Sequence, residues 1–121
     1  MSGRGTALVK AVEAALSWRK DVTIWRQNTG AVALKAPGEA RRFVSFGLPG
    51  CGDLTGIGPR GVRIEIECKD GEGRPTKRQR AFGEMIRAHG GIYLLVRSVD
   101  DAIRQLDEAL GSRSPPPVRA A

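Results

Sequence analysis

Asp53, Glu67 and Lys69 are the residues of this chain whose types and spacing could do chemistry. Glu67 and Lys69 flank one residue in Arg63-Ile64-Glu65-Ile66-Glu67-Cys68-Lys69, where Val62, Ile64, Ile66 and Cys68 alternate with charged residues. Strict alternation is a strand with one buried face and one polar face. Glu67 and Lys69 therefore stand side by side, within reach of one ligand. Asp53 leaves the loop Gly50-Cys51-Gly52 on a neighbouring extended segment and could complete the cluster. Two carboxylates and an ammonium group are what metal-dependent cleavage of a phosphodiester requires. The oxygens of a phosphodiester repel an incoming nucleophile, and a divalent cation offsets this by polarising the phosphoryl group and lowering the pKa of bound water. Mg²⁺ or Mn²⁺ would take oxygen ligands: the Asp53 and Glu67 carboxylates and the backbone carbonyl of Cys68. Lys69 could orient or deprotonate the water, or neutralise developing charge. Two alternatives stay open. The charged face could be an ordinary solvated surface paired across strands, and Glu65, on the same face, could replace or assist Glu67.

The elements that must position these residues follow from hydrophobic spacing and turn chemistry. Leu8, Val12, Ala15 and Leu16 recur at helical spacing and predict a helix from Thr6 to Trp18. Glu13 sits at the border of that face, beside Val9 and Leu16. Extended runs follow at 22–27, 31–36 and 42–46, with Asn28-Thr29-Gly30 and Pro37-Gly38-Glu39 as turn signals. Leu54 to Ile57 is a short strand, and Gly58-Pro59-Arg60-Gly61 turns the chain into the alternating segment. Thr76 opens a helix with Gln79 placed to close a capping box, and Phe82, Met85, Ile86 and His89 mark its apolar side. Gly90-Gly91 ends it. Ile92 to Val96 is continuously apolar, hence a buried strand. Ser98, Asp100 and Asp101 start a last helix that is expected to bury Ile103, Leu106 and Leu110. A strand-helix-strand crossover implies a parallel pair in a mixed sheet flanked by helices. Residues 1–5 read as a flexible N-terminus, 6–111 as one domain, and 112–121, with three consecutive prolines, as a disordered tail.

A chain of 121 residues supports one modest core. Its net charge of +7, carried mostly by arginine, favours a polyanionic partner. Arg26, Asn28, Arg42, Lys77, Arg78 and Arg80 are candidate DNA contacts. Three of them crowd a helix start, where the dipole disfavours cations and an anionic partner becomes attractive. No run is long and apolar enough to span a bilayer, and no secretory signal opens the chain. Cys51 and Cys68 lack metal-finger spacing and do not suggest a secreted disulfide scaffold, so an intracellular setting is expected. His89 reads as a packed or capping residue, Cys68 as core filler, and Trp18 and Trp25 as core rather than base-stacking groups.

Several segments together resemble a known family. Arg26-Gln27-Asn28-Thr29-Gly30, Gly50-Cys51-Gly52-Asp53-Leu54, Ile66-Glu67-Cys68-Lys69 and Thr76-Lys77-Arg78-Gln79 are similar to the VRR-NUC (virus-type replication-repair nuclease) family, as are Gly90-Gly91-Ile92-Tyr93 and Ser98-Val99-Asp100-Asp101. That family is a branch of the PD-(D/E)XK nuclease superfamily, and the resemblance runs from Glu13 to about Leu106. It implies an α/β fold, a mixed β-sheet flanked by helices in the order α-β-β-β-β-α-β-α. It further implies that Asp53 and Glu67 bind a catalytic metal, that Lys69 is the catalytic lysine, and that Glu13 helps hold the metal or its water. Gln79 matches a glutamine that opens the next helix and faces the site. That role and the capping box are expected to exclude each other in one side-chain conformation. Gly52 departs from the superfamily's proline. The activity implied is Mg²⁺- or Mn²⁺-dependent endonucleolytic cleavage of DNA. Branched substrates such as Holliday junctions or flaps are expected, cut by a homodimer. The alternative is a non-catalytic basic module that binds nucleic acid and keeps the fold.

Overall fold

The computed structural model describes residues 3–27, 30–34, 37–38, 42–46 and 52–111, with the backbone alone at 3–6, 30–34 and 42–46. The alternating segment becomes strand β5, Arg63–Cys68. It runs antiparallel to β4, Leu54–Ile57, and parallel to β6, Ile92–Val96. β1, Thr23–Arg26, lies antiparallel to β4, so the sheet is ordered β1-β4-β5-β6. A 3₁₀ turn, Pro59–Gly61, joins β4 to β5. Helices α1, Gly3–Leu16, α2, Lys77–Ala88, and α3, Val99–Gly111, flank the sheet. The fold is α/β, with a mixed four-stranded sheet and α2 as the crossover between the parallel strands.

Five strands precede α2, matching the five extended runs read from the sequence and one more than the order implied by the resemblance. β2, Gly30–Leu34, and β3, Arg42–Phe46, bond to each other as a separate two-stranded ribbon that follows β1 and precedes β4 in the chain. The expected tail, 112–121, lies outside the described residues. The first helix starts at Gly3, earlier than the Thr6 expected, so the segment read as a flexible end is partly helical.

One face of the sheet carries the main core. Ile24, Leu54, Ile64, Ile66, Cys68, Ile92, Leu94 and Val96 meet Val9, Val12 and Leu16 of α1 and Ala102 and Leu106 of α3. Each buried valine, leucine or isoleucine among them contributes about 1.5–3 kcal/mol. The β5–β6 half of the opposite face is covered by α2, whose Phe82 and Ile86 pack on Tyr93. Phe82 and Tyr93 meet edge to face, with ring centroids 6.2 Å apart. At Gly83 a Cβ would lie 2.7 Å from the Tyr93 ring, so only glycine lets the helix approach this closely.

That approach changes the alternating strand from what its pattern predicts. Glu65 and Glu67 are buried rather than solvated, because α2 lies over their face. Other expectations shift for similar reasons. Ile103 is exposed, since the buried pair on α3 is Ala102 and Leu106, four residues apart on one stripe. Met85 is exposed on α2, and so is His89, which stands at the C-cap of the helix as the capping alternative expects, with Nδ1 2.9 Å from the Met85 carbonyl. Neither tryptophan is core. Trp18 is 85% exposed in the turn after α1, and Trp25 is 48% exposed because it points away from the buried Ile24 on β1.

Candidate active site

The strand register builds the site. Thr55 pairs with Glu65 across β4 and β5, and Glu65 with Tyr93 across β5 and β6. Side chains two residues along share the face, so Asp53 and Glu67 form the next row. The Gln27 N–H donates to the Asp53 carbonyl at 2.9 Å and extends the β1–β4 ladder by one step. The Cys68 N–H donates to Asp53 Oδ2 at 2.8 Å, which pins the carboxylate against the end of β5. On the other side of β5, the Lys69 N–H bonds the Val96 carbonyl at 2.9 Å. The N–H and C=O of one strand residue point to the same edge, so the Cys68 carbonyl faces the Asp53 side.

Gly52 has a local cause. A Cβ there would sit 2.8 Å from the Ile66 carbonyl oxygen and 3.1 Å from its carbonyl carbon and nitrogen. The backbone before Asp53 touches the strand that carries Glu67, at a point where no Cβ fits.

Glu67 is the centre of the electrostatics. Its Oε1 accepts from Gln79 Nε2 at 2.9 Å and lies 3.7 Å from Lys69 Nζ. Burial, then the charge of Asp53, pushes its carboxyl up to about 7, and Lys69 offsets only part of this. Two carboxylates crowded at low dielectric want a compensating cation. The donor set consists of two carboxylates and a backbone carbonyl, all hard oxygens, and so fits a divalent ion of the Mg²⁺ type. The Cys68 thiol turns to the core, and burial with the nearby carboxylates pushes it up to about 12. Only the backbone of Cys68 is offered to the site.

Gln79 does what was expected to be impossible. Its Oε1 accepts from the Thr76 N–H at 2.8 Å while the Thr76 hydroxyl accepts from the Gln79 N–H at 3.1 Å, a complete capping box. The same conformation sends Nε2 to Glu67. The two roles are compatible because an amide carries an acceptor and a donor on opposite corners.

Glu65 is engaged elsewhere. Its Oε1 accepts from the Thr55 hydroxyl at 2.8 Å and from Arg63 Nε and Nη2 at 2.9 and 2.6 Å. Glu13 is partly buried on α1, in the layer opposite α2. Among the described residues no three His, Cys, Asp or Glu side chains gather closely enough to hold an ion. The pair brought together is Asp53 and Glu67.

Arg26, Lys77, Arg78 and Arg80 are exposed. Asn28 and the side chain of Arg42 lie outside the described residues. Sequence reasoning missed Arg74 and Arg97. With Arg80 they line a cavity of about 670 Å³ beside Gly71, Glu72 and Pro75, just past the end of β5. Arg97 Nη1 is tied to the Gly71 carbonyl at 2.8 Å and Arg80 Nη1 to that of Pro75 at 3.2 Å. The available signal was position: both residues follow the carboxyl ends of parallel strands, where open α/β sheets bind ligands.

No family model and no curated protein sequence matches this chain. A solved structure titled "VRR_NUC domain" is similar to it, with 24% identity, 87% of this chain and 92% of that chain covered, and a TM-score of 0.50. The sheet order, the crossover helix and this likeness converge on one architecture, and the chain has the fold of a VRR_NUC domain.

Proposed function

We propose that this protein is a metal-dependent endodeoxyribonuclease that hydrolyses phosphodiester bonds in branched DNA, such as Holliday junctions or flaps, inside the cell. The observation that carries the reading is the convergence of Asp53 and Glu67 from adjacent strands, with Lys69 3.7 Å from Glu67. The VRR_NUC fold supports it. When bound, a divalent cation supplies Lewis acidity and a more acidic water. Asp53, Glu67 and the Cys68 carbonyl are the residues that would hold it, with Glu13 proposed as a further contact. Lys69 holds a positive charge where negative charge develops on the phosphoryl group. The Gln79 amide fixes the orientation of Glu67. Arg74, Arg80 and Arg97, with Arg26, Lys77 and Arg78, grip flanking phosphates.

Structure selectivity is favoured over sequence readout because, among the described residues, all three helices pack on the sheet and none projects from it as a separate recognition helix. A homodimer, placing two sites on opposed strands, belongs to the same proposal and is read by sedimentation. The second reading, a basic binding module without catalysis, is favoured by the arginine cavity, which needs no cation to hold a phosphate.

Incubation with four-way junction, flap, single-stranded and duplex DNA, with and without Mn²⁺, tests the first reading. Metal-dependent products are expected on branched substrates. Lys69→Ala should abolish them and leave DNA binding intact. Binding without products on any substrate would leave only the binding module.

A further inference from the structure

Trp25 is a costly side chain to leave half in water, and its surroundings give it a use. Its register partner is Thr55, which pairs in turn with Glu65, so Trp25 projects from the same face as Glu65 and Glu67. Asp53 is its diagonal neighbour across β1 and β4, at a separation of about 7–8 Å. Among the described residues, helix α2 covers this face over β5 and β6 and does not extend over the β1–β4 half. There Trp25, Gln27, Thr55, Ile57 and Arg63 line a cavity of about 310 Å³, floored by the backbone of Gly56 and Gly61. Ile57 is also substantially exposed. The Arg63 guanidinium is fixed by two hydrogen bonds to the buried Glu65, so one wall of the cavity is a rigid, planar cation.

We propose that this cavity takes one unpaired nucleobase of the strand being cut, stacked on the Trp25 indole with its polar edge toward Gln27 and Arg63. The inference rests on the nuclease reading and names what the substrate must offer. An indole face accepts any base, and an adjacent guanidinium suits a flat π-system joined to a phosphate. The placement beside Asp53 sets a base about one nucleotide from a phosphate at the acidic pair. A paired base reaches the cavity only by leaving its stack, at a cost of a few kcal/mol, so flaps, single-stranded ends and junction points are favoured over continuous duplex. A second copy of the chain is the poorer occupant. Two exposed apolar side chains beside Arg63 fall well short of the ~800 Å² per partner that a stable interface buries.

Trp18 and Trp25 are the two tryptophans, so Trp18→Phe leaves Trp25 as the only indole reporter. In this background and in EDTA, an oligo-dT strand should quench the emission strongly, whereas a blunt duplex at equal occupancy should not. Trp25→Ala in the natural background should weaken oligo-dT binding about tenfold and leave duplex binding unchanged. Trp25→Tyr should restore most of the loss. Equal quenching by both DNAs, or an Ala variant that binds both as the parent does, would overturn the inference. So would equal weakening of both with circular dichroism unchanged. Because these readouts need no catalysis, failure of the parent to cut any DNA in Mn²⁺ sinks the nuclease reading separately.

Discussion

Glu67 carries a carboxyl group that, without a cation, is half protonated near neutrality, and that has consequences for stability as well as chemistry. In the unfolded chain it titrates near 4.5; in the fold it titrates at about 7. Between these values the folded state binds more protons, so the stabilising contribution is complete below pH 4.5 and is lost as pH rises through about 7. Thermal unfolding of the metal-free protein should show a melting temperature several degrees lower at slightly alkaline pH than near pH 4.5, and Mg²⁺ or Mn²⁺ should restore it above pH 7. Glu67→Gln should flatten both responses; a parent protein whose melting temperature ignores the cation would remove the metal assignment. Gln79→Glu separates the two functions of that residue. Glutamate also completes a capping box, so helix stability should hold within about 0.5 kcal/mol, but its second oxygen would face Glu67 and repel it. Cleavage should then fall about tenfold or more while the urea midpoint barely moves. The dual role of Gln79 illustrates what one-dimensional spacing conveys. The capping box is local and legible from Thr76 and Gln79, whereas the reach to Glu67 depends on where α2 docks.

Elements bounded by strong local signals were legible from the chain. β4 and β6 begin and end where glycine and turn residues bracket short apolar runs, and α2 and α3 start at their Thr and Ser caps. Long-range packing was not. The alternation of β5 correctly assigns faces but cannot reveal that Phe82, Ile86 and Gly83 bring a helix onto the polar one. Nor does it reveal that β2 and β3 leave the main sheet, because a ribbon strand and a sheet strand share one local pattern. Gly83 tests this docking. Replacing a mid-helix glycine by alanine normally gains about 1 kcal/mol of helix propensity. Here the new Cβ meets the buried Tyr93 ring at 2.7 Å, and overpacking costs about 1–3 kcal/mol. Gly83→Ala should therefore lower the urea midpoint and, by lifting α2, cut cleavage through the lost Gln79–Glu67 bond. Gly52→Ala should act from the opposite side. Its Cβ would strike the Ile66 carbonyl, displace Asp53 from the Cys68 N–H, and reduce cation affinity in calorimetric titration more than it reduces stability.

At the scale of the whole molecule the governing quantity is the charge of +7 and where it lies. Composition alone indicates a polyanionic partner, but it does not distinguish a diffuse halo from a built phosphate site. The fold gathers Arg74, Arg80 and Arg97 past the carboxyl end of β5, as a built phosphate site would require, although they are scattered along the chain and Glu72 joins them. Arg80 and Arg97 are tethered to backbone carbonyls, so removing either would perturb a loop as well as a charge. Arg74 is the cleaner probe. If it neutralises one phosphate, Arg74→Ala should weaken binding to every DNA sequence alike. It should also shrink the slope of log affinity against log salt by about 0.9 on duplex, or about 0.7 on a single strand. Fluorescence-anisotropy titrations across a salt series measure both numbers. A parallel line, displaced without a change of slope, would mean that Arg74 supports the loop conformation and releases no counterion, and the cavity would lose its standing as a phosphate site.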